Sequence, residues 1–147
     1  MNDTLVKFGY PHSIVKSYQN WSVLLRPDQV TLGSLILASH SEAHAFSDLT
    51  EPAMREFSSI IKDIESCLSN CFDYDKINYL MLMMIDPHVH FHVIPRYSCA
   101  RKFQSLTLED QDWPGPPNLA GKLDLNTSQK QNLLNYLKDK WIKEPGT

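Results

Sequence analysis

His88-Val89-His90-Phe91-His92-Val93-Ile94-Pro95-Arg96 is the stretch on which the reading of this chain turns. Three imidazoles alternate with apolar side chains. On a β-strand successive residues face opposite ways, so His88, His90 and His92 are expected on one face and Val89, Phe91 and Val93 on the other. One face then suits a hydrophobic core. The other lines up three groups that serve as nucleophile, acid or metal ligand near neutral pH. Three of the chain's six histidines fall within five consecutive residues. A plain solvent-facing row accounts poorly for that concentration, because neighbouring imidazoles disfavour one another's protonation.

From the residues alone, two chemistries stay open. Histidines at alternate strand positions can share a zinc ion with a ligand from elsewhere. Three alternate residues span about 13 Å, however, which is long for a single ion. The other chemistry is covalent phosphoryl transfer, in which the central imidazole attacks phosphorus and its neighbours donate to the phosphoryl oxygens. A same-face spacing of about 6.5 Å suits a phosphate held among the rings.

Immediately upstream, residues 77–85 form a nearly continuous apolar run containing Met81, Met83 and Met84. Its length and the Asp86-Pro87 break predict a buried central strand, a tight turn, and methionines used as core filler. Asp86, two residues before His88, is placed to tune an imidazole. Pro95 is expected to end the histidine strand, since proline lacks a ladder donor. Trp21-Ser22-Val23-Leu24-Leu25 and Leu35-Ile36-Leu37 read as antiparallel neighbours joined through Arg26-Pro27-Asp28 and Gly33. His40 and His44 follow as loop residues, one of which could supply a fourth histidine.

Thr50 is expected to cap a helix with Glu51 and Pro52 in its first turn. Met54, Phe57, Ile60, Ile61, Ile64, Cys67 and Leu68 then draw an apolar stripe about five turns long. Residues 103–124 read as loop around Trp113-Pro114-Gly115-Pro116-Pro117. Ser128 with Gln131 suggests a capping box opening a last helix that carries Leu133, Leu134, Leu137 and Trp141. Residues 1–18 show no clear pattern and are expected to lead into the sheet.

Composition narrows the classes. Apolar residues make up 42 % of the 147 and charged residues 21 %, ordinary for a globular protein. One domain over 1–147 is expected, with a motif-bearing core at about 20–97 and a C-terminal loop and helix at 98–147. A net charge of −3 gives no reason to expect nucleic acid as a partner. The N-terminus lacks a basic region followed by an apolar stretch, and no apolar run nears the roughly 20 residues of a membrane span. With Cys67, Cys71 and Cys99 odd in number and lacking metal-knuckle spacing, a cytoplasmic location with reduced thiols is expected.

The run His88-Val89-His90-Phe91-His92-Val93-Ile94 resembles the histidine-triad family, whose motif is His-φ-His-φ-His-φ-φ with φ apolar. The order of elements over residues 20–97 follows the family more loosely. The resemblance implies an α+β fold, with an antiparallel sheet of about five strands and two main helices, as a homodimer. It implies hydrolysis or transfer at the α-phosphate of a nucleotide conjugate, with no cofactor or metal. His90 would be the nucleophile, with His88 and His92 orienting the phosphate. Leu24, Arg26 and Arg96 are the candidate substrate-binding positions, Arg96 reading either as a structural or rim arginine or as a phosphate contact. The chain departs from the family where Met83-Met84-Ile85-Asp86-Pro87 replaces a Gly-Gln-Ser-type segment. It departs again where Arg26 stands in place of an acid and Ala38-Ser39-His40 in place of apolar-Pro-Lys.

Overall fold

In the computed structural model, which describes residues 1–141, the chain runs α1 (Asp3–Lys7), β1 (Ile14–Ser17), β2 (Trp21–Leu25), β3 (Leu35–Ser39) and α2 (Glu51–Phe72). There follow β4 (Lys76–Leu80), β5 (His90–Arg96), β6 (Arg101–Phe103), β7 (Leu106–Leu108) and α3 (Thr127–Lys140). The fold is α+β. Five strands pair antiparallel in the order β1-β2-β3-β5-β4, and β6 and β7 form a separate hairpin. The expected β2–β3 pairing is present, with Trp21 opposite Ser39 and Leu25 opposite Leu35. Between these strands the Gln29 side chain accepts from the backbone N–H of Gly33 and Ser34, closing the turn. Gly33 has φ +86°, and a Cβ there would meet the Phe72 ring at 3.0 Å, so both conformation and space call for glycine.

Strand alternation sorts the core into two sets. Val23, Leu35, Leu37, Phe91 and Val93 face α2 and α3, where Ile60, Ile64, Leu68, Leu133 and Leu137 close the larger core. Leu24, Ile36 and Ala38 face the other way and are covered by Leu5 and Phe8 of the N-terminal segment. Thr50 caps α2 as expected, its hydroxyl accepting from the Ala53 N–H. The stripe is buried at Ile60, Ile64, Cys67 and Leu68, but Met54 at its start is exposed. Trp21 Nε1 donates to the Ala53 carbonyl at 2.8 Å and ties the helix to β2.

Several expectations are corrected. The run 77–85 is not a central strand. β4 ends at Leu80 on the sheet edge, and Leu82, Met84 and Ile85 are 53, 86 and 84 % exposed. Met83 takes φ +52°, a left-handed conformation that breaks an extended run. Met81 and Met83 still pack on the larger core, whereas Met84 does not. Apolar content alone could not reveal this ending.

Pro95 lies inside β5, paired with Ile77. On its other side β3 has already stopped at Leu35, opposite Val93, and the Thr31 hydroxyl takes the Pro95 carbonyl at 2.6 Å. No ladder donor is required of proline there. The capping box of α3 uses Asn126 and Gln129 rather than Ser128 and Gln131. Residues 1–18 hold a helix and a strand rather than a plain lead-in.

Arg96 is held by protein partners, as a structural arginine would be. Its Nε and Nη2 donate to both oxygens of Asp110 at 2.7 and 3.2 Å, and Nη1 donates to Asn78 at 2.9 Å. Both charged side chains are buried, at 5 and 1 % exposure. The pair fastens the segment after β7 to the end of β5. Asp110→Ala is expected to cost about 3 kcal/mol in urea unfolding, because it strands a buried guanidinium. Replacing both partners with apolar residues should cost less than that single change.

Candidate active site

His90 opens β5 with its ring turned back on its own backbone. Nδ1 lies 2.7 Å from the His88 carbonyl oxygen. A carbonyl only accepts, so Nδ1 carries the proton and, in the neutral ring, Nε2 holds a lone pair. The His92 ring lies 5.3 Å away at 72°. Arg26 Nε donates to His92 Nδ1 over a long 3.4 Å, which places the His92 proton on Nε2. The two rings thus offer complementary edges, one a bare nitrogen and the other an N–H.

His88 departs from the expected arrangement. It precedes β5, in a bend, and its side chain is held by protein on both nitrogens. Nδ1 pairs with the Thr4 hydroxyl at 2.9 Å, and Nε2 lies 3.3 Å from a Glu42 carboxylate oxygen. Since the carboxylate accepts, the neutral ring accepts from Thr4. The His44 ring packs edge-on at 4.8 Å, so one of the two loop histidines does adjoin the triad. His40 instead bonds Ser22 and the Gln19 carbonyl.

A cavity of about 460 Å³ opens over His90 and His92, which are 2 and 7 % exposed at its floor. That volume suits a nucleotide-sized ligand. Arg26 walls one side, with two further nitrogens bound to the Asp28 and Leu119 carbonyls at 2.6 and 3.0 Å. The loop at residues 82–86 walls another. Phe8 packs 5.7 and 5.8 Å from the His90 and His92 rings, and Lys7 pairs with Asp86 at 2.8 Å across the rim. Asp86 therefore pairs with Lys7 and, as expected of it, acts on an imidazole, that of His92. Leu24 reaches no cavity wall; it is fully buried in the smaller core beneath Phe8. Among the described residues, no three His, Cys, Asp or Glu side chains are grouped to hold a metal ion.

Thr4, Lys7 and Phe8 are the contributors that the sequence reading passed over. A signal was present: Asn2 caps α1 through the Leu5 N–H, with Asp3 in the first turn and Lys7 in the last.

No protein-family model and no curated protein sequence matches the chain. Solved structures do. A histidine triad protein from Bradyrhizobium japonicum superposes with TM-score 0.73 at 20 % identity, covering 96 % of each chain. One from Marinobacter aquaeolei gives 0.73 at 19 % identity, covering 96 % of this chain and 94 % of that one. The Plasmodium falciparum diadenosine triphosphate hydrolase gives 0.62 at 13 %, covering 88 and 76 %.

The chain has the histidine-triad fold.

Within that fold, burial and electrostatics set the state of His92. Burial, then the Arg26 charge, then His90 push its pKa down to about 4, with Asp86 opposing them. The ring is neutral at pH 7 and its Nε2–H is available as a donor. In the unfolded chain it takes a proton near 6.5. Between those values the unfolded state binds more protons, so this contribution to stability is whole above about pH 6.5 and is lost as pH falls toward 4. Urea unfolding midpoints should therefore drop between pH 7 and 4.5, and His92→Gln should drop less. Parallel losses in the two proteins would remove His92 as the cause.

Proposed function

We propose that this protein is a nucleotide phosphohydrolase acting at the α-phosphate of a nucleotide conjugate through a covalent nucleotidyl-His90. The hydrogen bond from His90 Nδ1 to the His88 carbonyl carries the reading. It leaves Nε2 as the nucleophilic atom on the floor of a nucleotide-sized cavity, and it can stabilise the positive charge that the ring gains on attack. As the Nε2–P bond forms, the bond from phosphorus to the leaving group breaks. Water then attacks phosphorus, the Nε2–P bond breaks, and the nucleoside monophosphate leaves with the ring restored. His92 Nε2–H faces the phosphoryl oxygens as a donor, and Arg26 adds fixed charge behind it. His88 contributes through its carbonyl, and its side chain ties Thr4 and Glu42 to the triad. The likeness to a diadenosine triphosphate hydrolase lends the same reading support at the level of fold.

A second reading, a nucleotide-binding protein with little turnover, draws on one observation. Exposed Leu82, Met84 and Ile85 flank the cavity where the family carries its Gly-Gln-Ser-type segment. Reactions quenched in denaturant at alkaline pH, where a phosphorus–nitrogen bond survives, and analysed by mass spectrometry separate the two. A nucleotidyl adduct on the His90 peptide is expected, and His90→Ala should lose it along with at least about 10³-fold in kcat/KM. Full-rate turnover by His90→Ala would sink the mechanism.

The proposal extends to a homodimer, since the open edge of β4 calls for cover. Light scattering at micromolar concentration should return the mass of two chains, and the mass of one would refute it.

A further inference from the structure

Two cations line the cavity, and they are held in opposite ways. Arg26 is buried, with Nε, Nη1 and Nη2 committed to His92, Asp28 and Leu119. It cannot swing toward a ligand without giving up those bonds. Lys7 has Asp86 as its ion-pair partner, and its side chain is 50 % exposed against 18 % for the carboxylate. An ammonium carries three N–H donors, so Lys7 can keep Asp86 and still offer a donor to a ligand. Its position is fixed by the next residue, Phe8, whose ring packs against both His90 and His92. The ammonium lies over the Phe8 ring, 5.7 Å from its centroid, in the wall of the cavity that holds His90 and His92.

Asp86 gives this arrangement its selectivity. Taken alone, a carboxylate in the cavity wall repels any anion brought to His90. Lys7 cancels that charge, and its remaining donors make the same stretch of wall attractive. With the His92 ring neutral, Lys7 and Arg26 carry the positive charge facing a ligand among the residues lining the cavity. Arg26 adjoins the ring that would hold the attacked phosphate, whereas Lys7 lies across the cavity on the loop side.

We infer that the Lys7–Asp86 pair is a charge filter for the leaving group. Lys7 binds a phosphate attached beyond the one attacked, so conjugates that depart as an anion are favoured over those that depart as a neutral amine. The inference rests on the hydrolase reading above and adds to it the residue that selects among substrates. Removing Lys7 leaves Asp86 bare and reverses the preference of the wall. Removing the Asp86 charge leaves the ammonium free and keeps the preference.

Binding isolates the filter from catalysis. Calorimetry would compare α,β-methylene adenosine diphosphate with adenosine monophosphate, and the guanosine pair alongside, on the wild-type protein, Lys7→Met, Lys7→Arg and Asp86→Asn. The wild type should prefer the diphosphate. Lys7→Met should cut the ratio of the two affinities about tenfold, one unit of charge contact, while Lys7→Arg and Asp86→Asn keep it. The relative kcat/KM for a dinucleoside triphosphate over a nucleoside phosphoramidate should shift the same way. The filter is refuted if the wild type shows no preference, or if Lys7→Met leaves the ratio within about twofold. An equal loss in Asp86→Asn would also refute it, by making the pair a structural clamp. Failure of the wild type to bind any of the four nucleotides would overturn the hydrolase reading itself, and the filter with it. Bound nucleotides with an unmoved ratio would sink the filter alone.

Discussion

Strand β5 must satisfy two unlike environments on alternate residues, and the rest of the molecule is arranged around that constraint. Phe91 and Val93 enter the larger core beneath α2 and α3. His90 and His92 point the opposite way, toward Phe8 and Arg26. Both edges of the strand are occupied, by β3 and β4, so its register is held from two sides. A slip of one residue would drive two imidazoles into an apolar core and expose two large apolar side chains. Hydrophobic packing on one face therefore fixes the polar chemistry on the other.

The polar face is ordered by hydrogen-bond logic. Each of the three histidines has a partner whose role is unambiguous: a carbonyl for His90, a guanidinium for His92, a carboxylate for His88. Each partner decides which ring nitrogen carries the proton, so the three imidazoles come to differ although the sequence writes them alike. His88 faces Thr4 and Glu42 and turns its carbonyl, not its ring, toward the nucleophile candidate. Three identical letters become an anchor, a nucleophile candidate and a donor.

Much of this was legible in the sequence where local pattern and tertiary demand agree. The β2 and β3 strands, the Thr50 cap, the stripe of α2 and the apolar side of α3 all follow from period and capping chemistry. Legibility failed where an element is too short to show a period, as in the five residues of α1, which bring Thr4, Lys7 and Phe8 to the triad. It failed again at Leu82, Met84 and Ile85, whose apolar character reflects the lining of a cavity rather than a core. Arg96 and Leu24 show a different limit. Proximity in sequence to a site residue says nothing of whether a side chain ends in a buried ion pair or under a neighbouring ring.

The orienting partner of His90 is a main-chain oxygen, and this bears on how such a chain can drift. Where a catalytic imidazole is steered by a carboxylate side chain, one nucleotide change can delete the steering group. Here every residue at position 88 brings a carbonyl, so the tautomer of His90 is insulated from substitution there. What can disturb it is an insertion or deletion between Asp86 and His90, which moves the oxygen itself. Point substitutions at position 88 are then free to loosen or rebuild the link to Thr4 and Glu42, leaving the neighbouring ring's proton in place.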